Sequence, residues 1–257
     1  MSKAIFISGA GAGIGAATAQ FFLQKGWRVG LYDLDVSAVQ VLAAQYPQDQ
    51  VLAGWLDVTQ PDAWQEALAS FFAWAGRLDV LLNNAGILFS GPFEQTPLAQ
   101  HAKTFAVNVQ GVMNGCHSAL PYLKQTKRAC VINLSSGSAI YGQADLVSYS
   151  SSKFAVRGLT EALNIEWHKY GIRVMDIMPL FVQTGMVTDM NASSIKRMGV
   201  NLTANDVAST VYKAATASPV LSLVHWPVGL PAKLMFTLSR LSPQLVNEKV
   251  NQWLSRE

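Results

Sequence analysis

Residues 3–15 read KAIFISGAGAGIG, and the reading of this stretch decides the fold. An apolar run, AIFI, ends at Ser8 and gives way to a loop with glycines at positions 9, 13 and 15, after which helical periodicity begins near Ile14. Glycines in such a loop let the backbone turn tightly and approach a pyrophosphate, and free N–H groups at a helix N-terminus favour an anion. A glycine-rich loop alone is a weak signal. A strand before it and a helix after it supply the context of a dinucleotide-binding turn. The apolar run is also shorter than the roughly 7–15 residues of a signal-peptide core, so it is read as a first strand.

The same alternation runs outward from this unit. RVGLYD (28–33) precedes a predicted helix over 36–45, and VLAGWLD (51–57) precedes one over 62–75. DVLLNN (79–84), a helix from about 97 to 120, CVINLS (130–135), a helix holding Tyr149, and IRVMDIM (172–178) continue the series. Repeated strand–helix–strand units imply right-handed crossovers and a sheet covered on both faces. The expected fold class is α/β, a doubly wound Rossmann fold with a mostly parallel sheet. No Pro-, Gly- or Ser-rich linker divides the chain, so residues 1–257 are expected to form a single domain. Within it, residues 185–205 are read as a substrate lid. The last forty residues are read as a helix, an apolar strand over 220–226 and a C-terminal helical extension over 230–257.

Composition narrows the function classes. With 257 residues, 50% hydrophobic and 14% charged, the chain is too apolar for disorder. The net charge of +3 is scattered, with no basic run longer than Lys127–Arg128 or Lys196–Arg197, so nucleic acid is not an expected partner. Cys116 and Cys130 lack metal-ligand spacing, and a chain of this size needs no disulfide, which fits the cytoplasm. His101, His117, His168 and His225 also lack ligand spacing; they are expected in packing or at the surface, and no metal is called for. No uncharged apolar run reaches the ~18–20 residues of a membrane span. The tail over 230–254 is amphipathic, with Leu234, Leu238 and Leu241 among its apolar face. That face suits a membrane surface, but docking on the body or on a second subunit is the commoner outcome.

In doubly wound sheets ligands bind beyond the carboxyl ends of the strands. The second strand ends at Asp33, about 20 residues past the glycine loop, where a carboxylate accepts hydrogen bonds from ribose hydroxyls and repels a 2′-phosphate. With Leu34 next and no Arg or Lys in the glycine loop, NAD is favoured over NADP. Asp35 is an equally good helix cap, which leaves Asp33 for the ligand. The third strand ends at Asp57-Val58 and the fourth in NNAG, residues 83–86, both where a dinucleotide would run. The fifth ends in NLSSGS, setting Ser135 and Ser136 at the same edge, 14 and 13 residues before Tyr149. In YSSSK (149–153), Tyr149 and Lys153 are four residues apart, one helical turn, so they share a face.

Taken together, SGAGAGIG, Asp57, NNAG, Asn108, Ser136 and YSSSK resemble the short-chain dehydrogenase/reductase family from Ser8 to about Thr184. The family's TGxxxGIG appears with Ser8 for Thr. The resemblance implies an NAD(P)-dependent oxidoreductase interconverting an alcohol and a ketone by hydride transfer. It implies Tyr149 as general acid/base, Lys153 as its activator, Ser136 as the carbonyl-orienting group and Asn108 as support for a water relay. It further implies cofactor contacts at Ser8, Gly9, Gly13, Ile14, Gly15, Asp33, Asp57, Val58, Asn84, Ala85 and Gly86, at Tyr149 and Lys153, and at Pro179, Val182 and Thr184. A free tyrosine has a pKa of about 10, and the adjacent lysine charge together with the positive nicotinamide of NAD⁺ is expected to stabilise the Tyr149 phenolate.

One departure stands out: the usual PGxVxT reads PLFVQT (179–184) here, with Leu180 for Gly, so the local backbone or nicotinamide pocket is expected to differ. Phe89, Ile140, Tyr141, Leu146, Phe181, Met186 and Met190 are expected to form an apolar rim for a lipophilic small-molecule alcohol or ketone. The resemblance also implies a homodimer or homotetramer joined through the helices near 97–120 and 148–170. A nucleotide-sugar epimerase or dehydratase would carry TGxxGxxG and a larger C-terminal region, and this chain has neither. A catalytically silent dinucleotide sensor or scaffold is the other alternative, but all four of Asn108, Ser136, Tyr149 and Lys153 are kept.

Overall fold

The strands of the computed structural model are β1 (Ala4–Ser8), β2 (Arg28–Asp33), β3 (Val51–Trp55), β4 (Val80–Asn83), β5 (Cys130–Leu134), β6 (Arg173–Met178) and β7 (His225–Pro227). The structure describes residues 2–185, 200–218, 223–243, 246–249 and 252. The strands pair in the order β3-β2-β1-β4-β5-β6-β7, every pair parallel. A parallel sheet needs helical crossovers on both faces, and successive residues of β1 serve opposite layers. Ile5 and Ile7 join a core with Phe22, Leu31, Ile132, Ile177 and Val211. Ala4 and Phe6 join the other, with Tyr32, Trp64, Phe71, Leu81 and Val131. The helices are α1 (Gly13–Gln24), α2 (Val36–Ala43) and α3 (Pro61–Ala75), then α4 (Leu98–Phe105), α5 (Gly111–Leu123) and α6 (Val147–Trp167), and last α7 (Ala204–Thr216) and α8 (Gly229–Leu241).

Strand order reverses between β1 and β4, whose ends meet at Ser8 opposite Asn83. The crevice expected at such a switch point therefore opens beside the glycine loop.

The single helix expected near 97–120 is interrupted. α4 and α5 are joined by a π-helical segment, Ala106–Gln110, and α5 continues past Pro121 to Leu123. A π segment carries an extra residue per turn, so it rotates the succeeding turns of helix and often marks a functional site. Here it includes Asn108, which is buried. Apolar periodicity does not register a one-residue insertion of this kind.

The C-terminal third is partly legible. α7 starts in a reciprocal capping box between Thr203 and Asp206. The strand expected over 220–226 is found at His225–Pro227, and residues 220–222 lie outside the described residues, as do 186–199 of the expected lid. Across that segment, Val182 bridges Leu202 and the Gln183 backbone N–H donates to the Leu202 carbonyl at 2.9 Å. Within the extension, Ala232 and Phe236 of α8 are buried, and Phe236 packs with Ala139, Ile140 and Met178.

Gly15 on α1 shows how closely the switch point is packed. A Cβ there would stand 2.0 Å from the Gly9 carbonyl oxygen and 2.6 Å from Asn84 Nδ2. Because backbone cannot yield as a side chain does, Gly15→Ala is expected to lose at least about 1–3 kcal/mol of stability, the usual range for overpacking. Urea denaturation measures this directly, and an unchanged midpoint would contradict the packing.

Candidate active site

A cleft of about 570 Å³ opens at the carboxyl ends of β1, β2, β4, β5 and β6. That is within the roughly 300–1,000 Å³ of small-molecule sites. Its walls include Gly9, Gly13, Ile14, Asp33, Asp57, Val58, Asn84, Ala85, Gly86, Ser136, Tyr149, Lys153, Pro179, Val182 and Thr184. Ser8, Gly15 and Asn108, expected at the site from sequence, stand behind these walls rather than in them.

Ser8 is a structural pin. Its buried hydroxyl accepts from the backbone N–H groups of Asn84 at 3.1 Å and Ala85 at 3.3 Å. Asn84 returns the contact, donating Nδ2–H to the carbonyls of Ser8 at 3.1 Å and Gly9 at 2.8 Å. Gly9 adopts φ +68°, and a Cβ on it would lie 2.7 Å from Ala85 Cα, so the two loops touch backbone to backbone. These residues leave polar groups for a ligand. Asn84 Oδ1 is buried without a partner among the described residues, and no side chain caps the N-terminus of α1. Unpaired N–H groups at a helix start beside glycines are the donor set an anionic diphosphate requires.

At the end of β2, Asp35 caps α2 by accepting from the N–H groups of Ser37 and Ala38. Asp33 is less free than expected. Its Oδ2 accepts from the Gly11 N–H at 2.8 Å and its Oδ1 from the Asp35 N–H at 3.0 Å. These bonds fix the carboxylate on the cleft wall and tie the glycine loop to β2. Asp57 is engaged by Thr59 and by Gln60 Nε2, ahead of α3.

The opposite end of the cleft gathers Ser136, Tyr149 and Lys153. Ser136 Oγ accepts from the Ser138 N–H at 3.1 Å and is within hydrogen-bonding reach of the Tyr149 phenol. Lys153 is only 4% exposed; its ammonium donates to the Leu134 carbonyl at 2.8 Å and lies 5.4 Å from the centre of the Tyr149 ring. Burial lowers the Lys153 pKa to about 8. Burial also raises the Tyr149 phenol above its ordinary value, and the Ser136 hydrogen bond only partly offsets this. Burial, not the Lys153 charge, sets the direction of the Tyr149 shift. The lysine's own charge is destabilised in the same dry surroundings, and desolvation disfavours phenolate.

Asn108 closes the construction from behind. Its Oδ1 accepts from the Ile87 N–H at 2.8 Å, and its Nδ2 donates to the Ile87 carbonyl at 2.9 Å and to Ser152 Oγ at 3.1 Å. A Cβ on Gly86 would lie 3.3 Å from Asn108 Oδ1 and 3.7 Å from Lys153 Nζ, so the bare glycine keeps the space between them clear.

Leu180 resolves the departure from the family pattern. Arg128 and Asp145 are the non-glycine residues with positive φ among those described, so Leu180 requires no left-handed backbone. Its side chain takes the space above Gly137, where a Cβ would come within 2.4 Å of Leu180 Cδ2. The apolar rim is also redistributed. Phe181 lines the cleft, joined by Leu88, Val107 and Leu180, while Ile140 and Leu146 are buried in packing and Tyr141 leans on the α8 cluster. Met186 and Met190 lie outside the described residues. His225 does more than pack or face solvent, the roles its sequence context suggests. It bridges Asp176 and Glu161, at 3.0 Å from each.

Residues 3–194 match the family model described as short chain dehydrogenase. Among characterised proteins, the meso-2,3-butanediol dehydrogenase of Serratia marcescens is 34% identical over 185 residues, 72% of this chain and 73% of that one. The 3-alpha-(or 20-beta)-hydroxysteroid dehydrogenase of Mycobacterium bovis is 34% identical over 186 residues, 72% of this chain and 71% of that one. A short chain dehydrogenase/reductase from Burkholderia phymatum, solved in complex with NAD, superposes with a TM-score of 0.81 at 25% identity, covering 97% of this chain and 95% of that one. Sheet order, cleft and relatives agree, and the chain belongs to the short chain dehydrogenase family, oxidoreductases that act on CH–OH groups with a nicotinamide dinucleotide.

Proposed function

We infer that this enzyme uses NAD(H) to interconvert a lipophilic secondary alcohol and its ketone, with Tyr149 as the proton carrier. The observation that carries the reading is the convergence of Ser136, Tyr149 and Lys153 at one end of a cleft whose far wall holds Asp33. The orphaned Asn84 Oδ1, the uncapped start of α1 and the close-packed glycines fit a dinucleotide along that wall. Gly9, Gly13 and Ile14 would hold the diphosphate, Asp33 the adenosine ribose, and Val182 and Thr184 the nicotinamide end. The anionic Asp33 supports NAD over NADP. The apolar wall of Leu88, Leu180 and Phe181 supports a lipophilic substrate, in keeping with the steroid-oxidising relative.

Bound NAD(H) supplies the hydride acceptor in oxidation and the donor in reduction. In oxidation Tyr149 takes the alcohol proton; in reduction it returns that proton to the incipient alkoxide. Ser136, held by Ser138, donates to the same oxygen and stabilises its developing charge. Lys153 favours phenolate once its own charge is supported, and the gap at Gly86 leaves a path from Asn108 to its ammonium. Phe105 and Met113 near α4 and α5, and Phe154 and Ile165 on α6, are exposed, which supports a homo-oligomer joined through these helices. Among the described residues no helix is long and apolar enough to cross a membrane.

Tyr149→Phe is expected to lower kcat about 10²–10⁴-fold, the usual worth of general acid/base catalysis, with little change in NADH affinity. Turnover within a factor of about ten would remove Tyr149 from the role. Asp33→Ala is expected to shift the NAD/NADP preference in kcat/KM by about tenfold or more toward NADP, through lost repulsion. Equal losses with both cofactors would leave the carboxylate a purely structural role.

Lys153 links the site to stability. Burial lowers its pKa to about 8 in the folded chain, against 10.5 as a free side chain. Between these values the unfolded chain binds the extra proton, so the penalty for burying the charge is full below pH 8 and is relieved as pH rises toward 10.5. Lys153→Met is therefore expected to raise stability at pH 7 by about 1–3 kcal/mol while abolishing turnover, with the gain shrinking toward pH 10. Urea denaturation at the two pH values reads the difference; a loss at pH 7 would contradict burial as the dominant influence.

A further inference from the structure

We propose that α8 carries a docking surface for an anionic lipid membrane. Leu230, Leu234, Leu238 and Leu241 recur at spacings of four, four and three residues, which places them on one stripe of the helix. They are 79%, 57%, 48% and 78% exposed. The buried side of the same helix is already used, with Ala232 and Phe236 seated on the body, so the stripe is a second apolar face with no covering partner among the described residues. A surface helix is ordinarily polar on its outer side.

Charge selects the occupant. Residues 229–243 contain no Asp or Glu, and the two charged residues, Lys233 and Arg240, lie along one flank of the leucine stripe. Arg240 is held there by its guanidinium, which stacks 5.4 Å from the centre of the Phe236 ring. Leucines flanked by basic side chains form the pattern of a helix lying in the plane of a lipid interface. Anionic headgroups supply the countercharge. A second copy of this chain is the poorer fit. A self-paired contact about a two-fold axis brings the same basic flank to both sides with no acidic residue on either helix to answer it. The stripe also spans only about 16 Å of helix, little surface beside the roughly 800 Å² per partner of a stable protein interface.

The position of α8 ties docking to the cleft. Met235 and Phe236 pack on Ala139, Ile140 and Tyr141, the segment that follows Ser136, and the Tyr141 hydroxyl donates to Asn247 Oδ1 at 3.4 Å. A membrane-seated α8 would hold the substrate end of the enzyme near the lipid in which an apolar alcohol or ketone is dissolved. This second part rests on the lipophilic substrate reading above; the docking itself does not.

Flotation of the full chain with vesicles of phosphatidylcholine, alone or mixed with phosphatidylserine, tests the proposal. The expected result is binding to the mixed vesicles that weakens with salt and is much poorer on phosphatidylcholine alone. L234Q/L238Q is expected to lower binding about tenfold, and K233Q/R240Q to remove the preference for phosphatidylserine. No flotation of the parent chain overturns the proposal. So does a drop in oligomer size for L234Q/L238Q in sedimentation velocity without a change in flotation, which would make a second copy the occupant. Both variants are expected to keep parental rates on a small water-soluble ketone with NADH in vesicle-free buffer. A parent chain with no such rate on any carbonyl would count against the proposed reaction and leave the flotation result standing.

Discussion

The contact on which the rest depends is the one between the ends of β1 and β4, where the Gly9 loop lies against Asn84 and Ala85 without an intervening side chain. The Ser8 hydroxyl receives two N–H groups from the facing loop, and the Asn84 amide hands two hydrogen bonds back. This exchange brings together two loops far apart in sequence at the point where strand order reverses. It also consumes the polar groups that face inward, while leaving Asn84 Oδ1 and the first turn of α1 for a ligand. The same few bonds thus hold the sheet's carboxyl edge together and shape the glycine-loop side of the cleft.

At the other end of the cleft the governing quantity is the desolvation of a cation. A lysine at 4% exposure loses much of its preference for the charged form, and its main protein partner is a backbone carbonyl. By itself this arrangement makes the neighbouring phenol a weaker acid, not a stronger one. Burial therefore disfavours the charged form of both side chains. Such strain at a functional site, offset by packing elsewhere, is a common division of labour in enzymes.

Two features shape the surroundings of Ser136. Leu180 is accommodated because Gly137 yields the volume it needs, so a substitution that looks hostile to the backbone becomes an apolar addition to the cleft wall. α8 adds a brace behind residues 139–141 and an exposed leucine face beyond it. Both place apolar side chains close to the segment that follows Ser136.

The doubly wound sheet was legible in the chain because each strand is an apolar run and each crossover a run of helical period, both local properties. The glycine loop, Asp33, NNAG and YSSSK were legible because their spacing places them at strand ends and on one helical turn. Spacing does not encode which of these residues face the ligand and which hold the others. That Ser8, Gly15 and Asn108 stand behind the cleft, that a π segment turns Asn108 inward, and that Gly137 makes room for Leu180 are all consequences of contacts between distant segments. The direction of the Tyr149 and Lys153 shifts belongs to the same class, since desolvation depends on everything packed around a group. Sequence determined the order of elements and the chemical inventory of the site, because both are written in local pattern. Tertiary structure alone decided how buried, how paired and how exposed each member of that inventory is, because burial is a property of the whole fold.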